Sequence, residues 1–329
     1  MTDQPIVDEH ESLFGTEVRE TLPGGLAEAE PGPEFDLEAE GDVIATAEPI
    51  PLTQWQLFIR RFKRHKLGLF SLAVLIILFI MCYTVGWWMP FEKGQQDLSA
   101  GTGNLSPSFD HLMGTDQLGR DYFTEIMYAG QISLRIGITV ALLSTTIGTI
   151  TGAIAGYYGG WLDQILMRVT DLFLIVPGLA VLAIAREKFG GSPAMVSYIL
   201  AGLFWMWIAR VVRGQTLALK EKEFVEAARA VGASGPRIIS RHILPNCIGP
   251  IVVNATLQIA VAIITESTLS FLGFGVESSW GNLLSNAKGN YDDHTHLLYF
   301  PGFAILLTVL CVNALGDGLR DALDPHAKH

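Results

Sequence analysis

The sequence lacks one dipeptide throughout: nowhere in its 329 residues does Gly directly precede Lys. Without that dipeptide there is no phosphate-binding loop with its lysine. Cysteine is scarce. Cys82, Cys247 and Cys311 each lie in or beside an apolar run, so their spacing yields neither a disulfide framework nor a zinc site. No Ser, His and Asp or Cys and His constellation is legible, and no catalytic residue and no bound cofactor are expected in this chain. An early apolar run is also missing. The first begins only at Leu67, too late for a cleaved secretory signal, and is expected to stay as an anchor. Residues 1–50 are almost without positive charge, holding 14 Asp or Glu and one basic residue, Arg19. That stretch is rich in Glu, Pro and Gly and cannot bury enough apolar surface to offset its ordering entropy. Residues 1–52 are therefore read as a disordered acidic cytoplasmic tail. The formal charge of −11 belongs to this tail; beyond residue 50, 21 basic residues face 19 acidic ones, a net +2.

What the chain has is apolar length. Half of its residues are hydrophobic and they gather in long runs, a membrane composition. A helix needs about 20 apolar residues to cross a hydrocarbon core of about 30 Å. Six stretches qualify, near residues 67–89, 132–155, 166–185, 195–212, 248–273 and 297–315. The predicted fold class is an all-α integral membrane protein, with residues 53–329 as its transmembrane domain and lipid as its surroundings; nothing points to nucleic acid. The fourth stretch is the least clean, because Arg210 and Arg213 close it. Short loops rich in Lys and Arg stay cytoplasmic. Five basic residues, Arg60, Arg61, Lys63, Arg64 and Lys66, precede the first span, and the segment from Arg210 to Arg241 adds seven. The loops on the other side carry only Lys93, Arg120, Arg186, Lys188 and Lys288. Both termini are expected in the cytoplasm of a multi-pass chain.

The second span carries a small residue every fourth position, Ser144, Gly148, Gly152, Gly156 and Gly160. Such a stripe admits another helix at close range, whether from a partner subunit or from the same chain. The outer segment Pro90 to Gln131 contains HLMGTDQLGRDYF and reads as an external cap with turns at Gly114 and Gly119.

The cytoplasmic loop 220–245 is the most informative stretch. Phe224, Ala227, Ala228 and Val231 recur at helical spacing and predict one apolar face on a helix from about Lys220 to Val231. Gly232 ends that helix, followed by Ala233; Ser234 caps a second one and Pro236 suits its first turn. Leu244 and Pro245 are expected to break the chain again before the fifth span. A helical knob of this kind suits a groove on a soluble partner, and equally an amphipathic loop on lipid headgroups.

Glu226, Ala227 and Ala228, then Gly232, then Leu244 and Pro245 resemble the EAA loop of bacterial importer permeases, whose pattern reads EAA, three residues, G, nine residues, I, one residue, L, P. His242 stands where that pattern has isoleucine, with Ile243 next. The surrounding EAARAVGAS and RHILPN, together with MGTDQLGRDYF, YYGGWLDQILMRVTD, ESTLSFLGFG and LGDGLRDALDP, are similar to the dipeptide and oligopeptide permease family. The resemblance covers roughly residues 53–329. It implies a type I ABC importer permease (the C-type subunit) in the bacterial cytoplasmic membrane, paired with a second, homologous permease. Two ATPase subunits, which hold ATP and Mg, would dock through the EAA loop, and an extracytoplasmic binding protein would deliver peptide.

Glu266 lies inside the fifth span, where a carboxylate is costly and usually faces a cavity or a partner. It is a candidate for the translocation path, or for a structural bond to a neighbouring helix. The external DDHTH offers Asp292, Asp293, His294 and His296, but their spacing matches no closed metal site. Related permeases that move nickel are an alternative substrate class. A proton-coupled secondary transporter is the alternative of another kind; it would show several intramembrane acids or a half-to-half repeat, and neither is apparent.

Overall fold

The computed structural model describes residues 54–97, 103–289 and 293–323. The acidic tail lies outside them. Among the described residues the chain is helical, with only two isolated β-bridges in the segment before the longest helix.

Helix α1 (Gln54–Arg64) is short and amphipathic, and α2 (Lys66–Trp88) follows at once. Apolar residues surround α2 on all sides, and Leu67, Phe70, Ile77 and Ile80 are exposed, as befits a helix wrapped in lipid. The second span is α3 (Tyr122–Tyr158). Its 37 residues reach about 55 Å, well past a hydrocarbon core of about 30 Å. Asp121 starts it, accepting from the Thr124 N–H at 2.8 Å. Gly159, at φ +64°, stops it.

The third apolar stretch is not one straight rod. It is divided into α4 (Gly160–Ile175) and α5 (Gly178–Phe189), whose axes differ by 78°. Pro177 explains the break: the residue before a proline is driven out of the helical region, and Val176 is extended at ψ 124°. Among the described residues five helices are long and apolar enough to span, or six if the bent pair is counted as one span.

The fourth span, α6 (Pro193–Leu219), is cleaner than its composition suggested. It runs unbroken through Arg210 and Arg213, and both find acids on α4. Arg213 forks onto Asp163 at 2.5 and 2.6 Å, and Arg210 meets Asp171 at 2.5 Å. The pairs sit on matching faces, at i and i+3 on α6 and i and i+8 on α4, and clamp the two helices together.

After α7 (Glu223–Ala230) and α8 (Gly235–Ile238) come a π-helical turn (Ile239–Ile243) and α9 (Leu244–Phe271). The expected break at Leu244 and Pro245 does not occur: helix runs continuously from Gly235 to Phe271. The wider turn accommodates the missing proline N–H, with the Leu244 N–H bonding back to the Ile239 carbonyl five residues earlier. Helix α10 (Trp280–Ala287) packs against α9 and α11 (His296–Leu323), the last span.

The glycine stripe faces the same chain. A Cβ on Gly148 would come within 2.5 Å of the Trp205 carbonyl, one on Gly152 within 2.3 Å of Ala209 O, and one on Gly156 within 2.7 Å of Thr216 Cβ. Ser144 is fully buried in the same helix. Close approach replaces the hydrophobic drive that is absent between helices in lipid, and it joins α3 to α6. Gly160 drops out of the stripe, since it opens α4 at φ +57°. At the N-terminal end of α3, Cys82, Tyr122, Ile126, Ile263, Trp280 and Leu297 form one cluster, with Trp280 Nε1–H donating to the Ile126 carbonyl at 2.9 Å.

Candidate functional site

The loop between α6 and α9 is a compact knob. Glu223 and Glu226 sit in the first turn of α7 and Arg229 in its last, each favourable to the helix dipole. The end of α7 is a Schellman motif: the Gly232 N–H bonds to Arg229 O and the Ala233 N–H to Ala228 O, both at 3.0 Å. Gly232 stands at φ +81°, where a Cβ is disfavoured. Ser234 occupies the cap position of α8, but its side chain makes no capping bond. Gly235 takes its place where a Cβ would lie 2.8 Å from the Tyr158 hydroxyl, so the knob rests on the projecting end of α3.

Of the apolar face that helical spacing indicated, only Ala228 turns into the core of the knob. Val225, Ala228, Ile238, Ile243 and Cys247 form its core, joined by Tyr157, Leu219 and Ala233. Phe224 is 41% exposed and Val231 85%, and Ala227 is exposed beside them. The cause is tertiary: the second helix returns on the Val225 side and covers it, so Phe224, Ala227 and Val231 are left on the outer surface. Glu226 and Arg229 lie on the same helix and Arg237 and Arg241 on the elements that follow it, all exposed. Leu244 is half-buried against Ala153, Ile208 and Val212, while Pro245 is exposed. An apolar strip with a charged rim is what a protein-docking surface requires.

Glu266 is fully buried within the chain. Ser270 Oγ donates to its Oε1 at 2.6 Å, and Ser133 Oγ of α3 approaches Oε2 at 3.5 Å. The same serines accept from the Val276 and Trp280 backbone N–H groups, so the carboxyl ties the segment leading into α10 to α3 and α9. Thr265 and Thr268, by contrast, are half-buried and exposed respectively on α9, bordering an open cavity of about 390 Å³ with Gly178, Leu182 and Leu203.

In the segment before α3 the turns fall at Gly114 (φ +78°) and Gly119 (φ +73°). Buried His111 lies between Asp121, 3.0 Å from Nδ1, and Asp97, 3.5 Å from Nε2. Burial would lower the pKa of Arg120, but the hydrogen bond and charge of Asp116 outweigh it and hold the guanidinium above its ordinary value. The α4–α6 ion pairs and the short helix α10 escaped sequence reading. Their signals were the spacing of Asp163 and Asp171 against Arg210 and Arg213, and Ser279, which caps α10 through the Asn282 N–H. Among the described residues no three His, Cys, Asp or Glu side chains converge on a metal position; Asp292 lies outside them.

Residues 148–329 match the family described as binding-protein-dependent transport system inner membrane component, and residues 53–107 match the N-terminal transmembrane domain of oligopeptide transport permease C. The chain belongs to the binding-protein-dependent transport permeases. The permease is 41% identical to the oligopeptide transport system permease protein OppC of Haemophilus influenzae over 274 residues, 82% of this chain and 88% of that one. It is 41% identical to the dipeptide transport system permease protein DppC of Bacillus subtilis, covering 81% and 84%. Against the glutathione transport system permease protein GsiD of Escherichia coli the identity is 40%, covering 84% and 92%. Apolar spans and family together make it a multi-pass inner-membrane protein.

Proposed function

We propose that this permease carries di- and oligopeptides inward as half of a heterodimeric channel, driven by ATPase subunits that dock on the knob at residues 220–245. The observation that carries this reading is the outward apolar strip of Phe224, Ala227 and Val231 on a helix whose own core is complete without it. The relatives named for oligopeptide, dipeptide and glutathione transport support the substrate class. With no Gly-Lys dipeptide, the energy of transport has to enter from another subunit. The second permease would complete the path along the exposed faces of α5 and α9, where Thr265 and Thr268 add hydroxyls to an apolar wall. An extracytoplasmic binding protein would meet the segment before α3. The basic residues beside α1 and in the knob support an orientation with both termini in the cytoplasm.

Deletion of the gene in its host tests the substrate. Cells without the permease should resist toxic di- to oligopeptide analogues and fail to grow on peptides as the sole source of a required amino acid. Unchanged peptide uptake, with loss of nickel uptake instead, would overturn the peptide reading.

A further inference from the structure

A second site lies at the joint between α1 and α2, where α11 ends. A cavity of about 510 Å³ opens there, lined by Leu57, Arg60, Arg61, Arg64, His65 and Asp321. We propose that this cavity holds the phosphate headgroup of an anionic phospholipid.

Charge is the first ground. His65 Nδ1 accepts from the Gly68 N–H at 2.9 Å, which leaves its proton on Nε2, 3.5 Å from Asp321. The one carboxylate of the cavity is thus turned to the His65 ring, and the guanidinium groups of Arg60 and Arg64 are left facing the cavity. Arg60 and Arg64 form no ion pair among the described residues. A guanidinium presents paired N–H donors whose spacing matches two phosphate oxygens.

Position is the second ground. Trp55, Phe58 and Phe62 stack along α1 with ring centroids 5.2 and 6.1 Å apart. A helix with aromatic rings on one side and arginines on another lies in the headgroup layer. The third ground separates a lipid from a free phosphate. Directly past the joint, Leu67, Leu69 and Phe70 are 60%, 45% and 63% exposed and lead from the cavity onto the lipid-facing side of α2. A headgroup held by the arginines has an apolar track for its acyl chains; an inorganic ion has no use for one. Bound there, the lipid would pin a corner where α2 and α11 already come close. A Cβ on Gly68 would sit 3.3 Å from Gly318 Cα.

Native mass spectrometry of the full-length permease, delipidated in detergent, tests this with dioleoylphosphatidylglycerol, dioleoylphosphatidylcholine and inorganic phosphate as probes. The wild type should prefer phosphatidylglycerol, and Arg60→Gln with Arg64→Gln should weaken that lipid by about tenfold, as expected for loss of charge-assisted hydrogen bonds. Lys63→Gln removes a charge from the same helix but outside the cavity and should bind as wild type. If the double glutamine variant aggregates, Arg60→Lys with Arg64→Lys decides: it keeps the charge, loses the fork, and should still bind more weakly. An equal loss in Lys63→Gln, equal binding of phosphatidylcholine, or full displacement of lipid by excess phosphate would each overturn the proposal.

Discussion

Val225 and Val231 stand six residues apart on α7 and its cap, one fully buried and the other 85% exposed, and the proposed docking role assigns them opposite phenotypes. Val225→Ala removes two methyl groups from the knob core. At about 0.8 kcal/mol per buried methylene, with a contribution from the cavity left behind, the cost is about 2 kcal/mol. Val231→Glu leaves that core untouched and should change stability by no more than about 0.5 kcal/mol. If Val231 is covered by an ATPase groove, burying it there contributes about 1.5 kcal/mol, and a carboxylate in its place adds desolvation. ATPase affinity should then fall by more than about tenfold. The assay is co-purification of the importer from membranes, with peptide-stimulated ATP hydrolysis measured in proteoliposomes and melting followed on the isolated permease. Val231→Glu should melt as wild type, lose its ATPase subunits and lose stimulation; Val225→Ala should melt earlier. Full retention of the ATPase by Val231→Glu, at wild-type membrane levels, would refute the docking surface.

At the Schellman corner, Gly232→Ala should cost about 1 kcal/mol because of its positive φ, and Gly232→Asn less, in transport assays and in proteolysis of the loop; equal effects would show that φ is not the cause. Gly152→Val should destabilise the α3–α6 seam by about 1–3 kcal/mol, read as a lower melting temperature in detergent, whereas Gly202→Ala, with nothing within 4 Å of the added atom, should be neutral. A double-mutant cycle on Asp163→Ala and Arg213→Ala should give a coupling of about 1 kcal/mol, and zero coupling would make the pair incidental. A cysteine at Ser106 should react with an impermeant thiol reagent in intact cells and one at Ser234 should not; Cys82, Cys247 and Cys311 are buried and should leave the background low.

The residue order alone dictated that the chain is a membrane protein, roughly where its spans run and which loop would be the knob. Each depends on a local property: apolar run length against bilayer thickness, glycine's tolerance of positive φ at Gly232, and an EAA pattern in contiguous residues. Helical period at Phe224, Ala227, Ala228 and Val231 revealed that α7 has an apolar face, but not whether that face turns inward. Tertiary structure decided it, because only the return of the second helix selects Val225 as the covered side. The partner of the glycine stripe was undecided for the same reason: small residues permit close approach by any helix, and only the folded chain brings α6 to Gly152. Arg210 and Arg213 looked like the end of a span because their acids, Asp163 and Asp171, lie about forty to fifty residues away in sequence. Charge in a membrane helix is tolerated or not according to what faces it, and that depends on the packing of two helices together.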